Sequence, residues 1–183
     1  MEEEDKQALL QLAREAIETA YKDQEPNLNN VLHLNKEQGV FVTLHKHGEL
    51  RGCIGFPEPI QPLFKAVIDA ARSAAFKDSR FPTVTSDELS RIKIEISVLT
   101  TPEEITVEYP EEYKEKIVLG KDGLIIRSPE GSGLLLPQVV KENNFTTSQF
   151  LNALCQKAGL SFSAWENLDN PIFKFQAIIF SEE

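Results

Sequence analysis

Apolar side chains return every three or four positions near the start of the chain: Leu9, Leu12, Ala13, Ala16, Ile17, Ala20 and Tyr21. That spacing marks one face of an amphipathic helix. The acids Glu2 to Asp5 at its start complement the helix dipole. The pattern then shifts to strand-like runs at Val40 to Leu44 and Leu50 to Gly55, joined through His47-Gly48. A residue followed by glycine suits a two-residue hairpin turn, because glycine accepts positive φ. With that turn, Leu44 faces Arg51 and Val42 faces Cys53, so these four share one face of the sheet. Phe41, Thr43, Leu50 and Ile54 take the other, and the hairpin is expected to be buried on both sides.

A second helix is predicted over Leu63 to Phe76, with Leu63, Val67, Ala70, Ala71 and Ala74 inward; its alanines allow close approach to a sheet. Phe76 to Pro82 reads as a polar loop. Ile92, Ile94, Ile96 and Val98 alternate with polar neighbours, as a half-wet antiparallel strand does. Residues 100–115 are acidic and contain prolines, which marks a lobe boundary. A second hairpin is expected from Ile117 to Leu119, through Gly120-Lys121-Asp122-Gly123, to Leu124 to Ile126. Ser128 to Gly133 reads as a flexible loop, and Leu134 to Leu136 as a short strand ended by Pro137. Thr146 with Gln149 forms a capping box, Phe145 staples onto Phe150, and Gly159 closes the helix that follows. A last strand runs from Phe173 to Phe180. Strands mixed with helices, rather than strictly alternating with them, give an α+β class of mainly antiparallel sheets covered by helices.

Composition narrows the partners. The chain has 183 residues and a formal net charge of −10. That sign opposes approach to a phosphate backbone, so neither nucleic acid nor an anionic membrane surface is expected as a partner. The acidic N-terminus is unlike a signal peptide, and no apolar run is long enough to span a bilayer. The two cysteines, Cys53 and Cys155, make neither a disulfide framework nor a zinc site. A cytoplasmic location with reduced thiols follows, with no metal and no cofactor expected.

Chemistry concentrates in Leu50-Arg51-Gly52-Cys53-Ile54-Gly55. Two glycines weaken a strand and belong where it bulges, or where a ligand or another backbone comes close. Arg51, set on a largely apolar face, needs a carboxylate, carbonyls or an anionic ligand. A guanidinium beside a thiol favours the nucleophilic anion, which makes Cys53 a candidate catalytic group. Cys53 reads as well as a small core hydrophobe opposite Val42, which is how free cysteine ordinarily behaves. Cys155 reads as a packing contact. Asp78 is a natural counter-ion for Arg51 or Arg80. His45 and His47 flank the hairpin turn and read as surface residues, without a carboxylate or thiol at metal-ligand spacing.

These segments resemble the AMMECR domain family. Gly39-Val40-Phe41-Val42-Thr43-Leu44 followed by Leu50-Arg51-Gly52-Cys53-Ile54-Gly55 is similar to the family signature. Asp78-Ser79-Arg80-Phe81 resembles its Asp-Pro-Arg-Phe loop, with Ser79 in place of proline. Leu119-Gly120-Lys121-Asp122-Gly123-Leu124, Leu136-Pro137-Gln138-Val139 and Lys157-Ala158-Gly159-Leu160 match in order. The resemblance implies one domain over 1–183, built of two unequal lobes with a cleft between them, and leaves room for a smaller lobe within about residues 100–145. Carried over by motif, the site residues are Cys53 as the catalytic candidate, with Arg51, Gly52, Asp78, Arg80 and Lys121 as ligand-binding candidates. The expected function is binding of a small anionic or peptide-like ligand in a cleft lined by Arg51, Cys53, Asp78 and Arg80. Two alternatives stand beside it. One is a cysteine-dependent transferase or hydrolase using Cys53. The other is an interaction module working with Memo-like or radical-SAM proteins, which the family accompanies in microbes. The oligomeric state is open, a homo-oligomer included.

Overall fold

The computed structural model describes residues Met1 to Glu183 throughout. In chain order its main elements are α1 (Glu3–Ala20), β1 (Val40–Lys46), β2 (Glu49–Phe56), α2 (Leu63–Phe76), β3 (Ile92–Leu99), β4 (Glu103–Glu104), α3 (Tyr113–Lys116), β5 (Asp122–Ser128), β6 (Gly131–Leu135), α4 (Gln138–Asn143), α5 (Thr147–Lys157) and β7 (Ile172–Ser181). Every strand pairing is antiparallel, and the class is α+β. The chain forms two compact units: Met1–Leu99 with Ile178–Glu183, and Thr100–Ala177. The second unit thus begins where the acidic, proline-containing stretch begins and runs on to Ala177, past residue 145.

In the first unit β1 lies between β2 and β3, which leaves β2 outermost. One face of these strands carries Val40, Val42, Leu44, Ile92, Ile94 and Ile96 into a core shared with α1 and α2. From α1 come Leu9, Leu12, Ala13, Ala16 and Ile17, the face that the three- and four-residue spacing predicts. From α2 come Leu63, Val67 and a run of alanines, whose small side chains let the helix backbone approach the sheet. The approach is closest at Gly52, where a Cβ would lie 2.3 Å from the Ala74 carbonyl oxygen.

His47 and Gly48 form the expected turn, both at positive φ (54° and 83°), as a type I′ hairpin requires. The register beyond it differs from expectation. Lys46 pairs with Glu49 and His45 with Leu50, but Leu44 then pairs with Gly52, Thr43 with Cys53 and Val42 with Ile54. Arg51 is an extra residue in β2, a β-bulge, and every side chain after it takes the opposite face from the simple hairpin count. The physical reason is the seat of α2. Only glycine fits beneath Ala74, so Gly52 must face the helix, and one inserted residue puts it there. The hairpin is accordingly buried on the α2 side alone; its other face holds Thr43, His45 and Cys53 half-buried and Leu50 exposed.

In the second unit β5 pairs with β6 and with the first residues of β7, and β4 adds two residues beside Phe173 and Lys174. Its core joins Leu124, Ile126, Phe150, Leu154, Cys155, Trp165 and Ile172. The capping box of α5 forms, with Thr146 accepting from the Gln149 N–H and Gln149 from the Thr146 N–H. Gly159, at φ 75°, ends that helix, and the Leu160 N–H donates to the Cys155 carbonyl. Two expectations fail here. Residues 117–119 form no strand: Ile117 follows α3, and the buried Asp122 carboxylate accepts the Val118 N–H, drawing the segment into a turn. Residues 128–133 are not a flexible loop but the tight end of the β5–β6 hairpin. A Cβ at Gly131 or Gly133 would fall 2.2 Å or 2.7 Å from Ala158 backbone atoms, so these glycines let β6 pass beneath α5.

Candidate functional site

The bulge separates the two groups that the hairpin count places together. Arg51 leaves β2 at the bulge and meets the carboxylate of Glu88, Nη2 to Oε1 at 2.7 Å and Nε to Oε2 at 3.4 Å. Lys46 reaches the same carboxylate at 2.5 Å from the next strand, and the Thr85 N–H donates to it at 3.0 Å. Burial pushes the Glu88 carboxyl up, but the Lys46 ammonium, the Arg51 guanidinium and the Thr85 N–H outweigh it and hold Glu88 at about 2. Arg51 Nη1 is buried without a hydrogen bond. Arg51 is therefore engaged by the fold, and the expectation that it shares a pleated face with Cys53 is corrected.

Cys53 pairs with Thr43 on the face turned away from α2. It is half-buried, and the Thr43 hydroxyl donates to its Sγ at 3.3 Å. Glu95 stands opposite Thr43 on β3, so thiol, hydroxyl and carboxylate form one row across three strands. His45 follows Thr43 on this face, paired with Leu50 and Lys93.

The backbone of Cys53 is held from the open side of β2. Asp78 Oδ2 accepts the Cys53 N–H at 2.8 Å, and Arg80 Nη2 donates to the Cys53 carbonyl at 3.1 Å. The two side chains bind each other: Arg80 Nη2 meets Asp78 Oδ2 at 2.7 Å, and Arg80 Nε meets Oδ1 at 3.0 Å. Asp78 is buried while the Arg80 side chain is 55% exposed. Arg80, more than burial, sets the Asp78 carboxyl, and with the Cys53 N–H holds it far below the usual carboxylate range. The cation adjoining Cys53 is thus Arg80. Of the two counter-ion choices open for Asp78, the structure takes Arg80 and gives Arg51 to Glu88.

Of the sequence candidates, Arg51, Gly52, Cys53, Asp78 and Arg80 lie together in the first unit, whereas Lys121 belongs to the second and is exposed. Cys155 is fully buried, and its desolvation pushes the thiol up, as suits a packing residue. No group of three His, Cys, Asp or Glu side chains is placed to hold a metal ion, and no helix is long and apolar enough to cross a membrane. Sequence reasoning missed Glu88, Lys46, Thr43 and Glu95. Glu88 had a local signal: Thr85 and Glu88 form a capping box at the short 3-10 turn before β3. Thr43 and Glu95 had none, because the bulge decides their face.

The AMMECR1 family model matches residues 10–180. Protein MK0488 of Methanopyrus kandleri is 46% identical over 187 residues, which cover 98% of this chain and 89% of that protein. Protein PF1979 of Pyrococcus furiosus is 46% identical over 183 residues, covering 96% of this chain and 87% of that one. The crystal structure of uncharacterized protein PH0010 from Pyrococcus horikoshii is 44% identical, with a TM-score of 0.87 over 96% of this chain and 90% of that chain.

Proposed function

We propose that this chain, which belongs to the AMMECR1 family, binds a small anionic or peptide-like ligand where Cys53, Thr43 and Arg80 meet in its first unit. One observation carries this reading. A half-buried thiol on an outermost strand is fixed at three atoms: its N–H by Asp78, its carbonyl by Arg80 and its sulfur by Thr43. Packing alone needs no such arrangement, as the simply buried Cys155 illustrates. Groups locked by neighbours and left reachable are pre-organised for contact. Cys53 and the exposed Arg80 face the ligand, the guanidinium offering its remaining donors to a carboxylate or phosphate. Arg51, Gly52 and Asp78 act as positioning residues: Arg51 anchors the bulge on Glu88, Gly52 seats the strand under α2, and Asp78 aligns both Cys53 and Arg80.

Alkylation of the native protein, read by mass spectrometry, tests the accessibility of the thiol. Cys53 is expected to label well before Cys155, and equal inertness of both overturns the reading. A binding screen of small carboxylates, phosphates and short peptides should yield hits that protect Cys53 from the label. Those hits should weaken in Arg80→Ala; hits that neither protect Cys53 nor respond to Arg80→Ala would place recognition elsewhere.

A further inference from the structure

At the turn end of the β1–β2 hairpin the first unit forms a concavity of about 400 Å³, lined by His45, His47, Arg91, Lys93, Glu95 and Ser181 among others. That volume suits a small ligand. Its cations are unlike those around Cys53. Lys46, Arg51 and Arg80 each bind a carboxylate, whereas Arg91 and Lys93 make no ion pair. Arg91 reaches only the Asp87 carbonyl, at 3.5 Å, and both side chains are exposed.

Two carboxylates touch the concavity. Glu182 is already engaged by Arg14, at Nε and Nη2, and by the Ile94 N–H. Glu95 is the one left, set two residues along β3 from Lys93. Within the concavity a guanidinium and an ammonium thus face one free carboxylate, with two imidazoles beside them, while Glu183 lines the adjoining groove next to the same Arg91 and Lys93. The fold makes no use of this surplus, since Ile92 and Ile94 supply the core contacts of this part of β3. His47 adds a second observation. It holds the turn at φ 54° and lines the concavity with its side chain exposed.

We infer that this concavity is an oxyanion site for a small molecule bearing a phosphoryl group. Arg91 forks onto two of its oxygens, Lys93 supplies a point charge, and the imidazoles of His45 and His47 donate from the hairpin. The negative charge of the whole chain does not prevent this. Exposed charges beyond roughly 10 Å are largely screened at 0.1 M salt, so the groups in contact decide. None of the cations is one used at Cys53, so the two sites stand or fall separately.

Inorganic phosphate, then phenyl phosphate, titrated into the full chain at about 0.1 M ionic strength and followed by amide chemical shifts tests the assignment. Saturable binding is expected, with shifts centred on residues 45–48 and 91–95. Arg91→Gln with Lys93→Gln should weaken it at least tenfold, and His47→Asn, which keeps a residue suited to the turn, should weaken it several-fold. Lys22→Gln with Lys36→Gln removes the same charge elsewhere and should leave binding unchanged. Absence of saturable binding to the unsubstituted chain overturns the proposal. So does equal weakening by the Lys22 and Lys36 pair, which would reduce the effect to net charge.

Discussion

Replacing Glu88 by glutamine asks how much of the first unit rests on one carboxylate. The substitution keeps shape and removes the charge that Arg51 and Lys46 share. Held at about 2 against an ordinary 4.5, the carboxyl in a fully shielded site would contribute about 3 kcal/mol. The Lys46 side chain is 29% exposed, so solvent screens part of the network, and about 2 kcal/mol is the expected loss. The chain's single tryptophan, Trp165, lies in the second unit and does not report on the first. Hydrogen exchange at the buried Val42 and Leu44 amides of β1 does, and should quicken about thirtyfold in Glu88→Gln at neutral pH. The sign with pH is fixed. A folded-state value below the unfolded one gives stability that is complete above about 4.5 and is lost as pH falls toward about 2. The ratio between variant and parent should therefore shrink over that window. A ratio that stays constant down to that pH would refute the claim that the carboxylate charge, rather than its shape, holds Arg51.

Gly52→Ala would set a Cβ 2.3 Å from the Ala74 carbonyl oxygen, a backbone atom that moves only with α2. Overpacking of about 3 kcal/mol, or a melting temperature about 6–12 °C lower, is expected in thermal unfolding of the whole chain. Gly48→Ala, strained by positive φ but with no atom within 4 Å of its Cβ, should cost only about 1 kcal/mol, and equal losses would show that close approach is not the cause. Asp78→Asn exchanges an acceptor of four donors for a group that itself donates, so Cys53 should alkylate faster and Arg80 lose its orientation. An alkylation rate unchanged from the parent would mean that Asp78 does not hold the cysteine.

Features written in neighbouring residues were legible in the sequence; those decided at a distance were not. The faces of α1 and α2, the His47-Gly48 turn and the caps of α5 each depend on residues a few positions apart, and the structure contains them all. The glycines of β2 signalled a bulge or a close backbone, but its place at Arg51 and the register it sets escaped because their cause is the Ala74 carbonyl on another element. The same holds for Gly131 and Gly133: as text they read as a loose loop, and only the backbone of Ala158 shows why side chains are excluded. At the site, Asp78 with Arg80 was one of two ion pairs the sequence left open, and these two lie in one short loop. The pairing of Arg51 with Glu88 spans 37 positions, and no periodicity records it. Cys53 kept its standing as a candidate for a different reason from the one first apparent, since Arg80 and not Arg51 is the cation beside it.

The clamp on Cys53 has a consequence for life in a crowded solution. A sheet margin with idle amides and carbonyls invites another chain to dock as an extra strand, the first step toward uncontrolled assembly. At Cys53 those backbone groups are already spoken for by a carboxylate and a guanidinium from the chain's own loop. A would-be neighbour finds a charged, side-chain-lined border there instead of a free ladder rung. The same pair of residues that steadies the thiol therefore also discourages this molecule from zipping onto its copies.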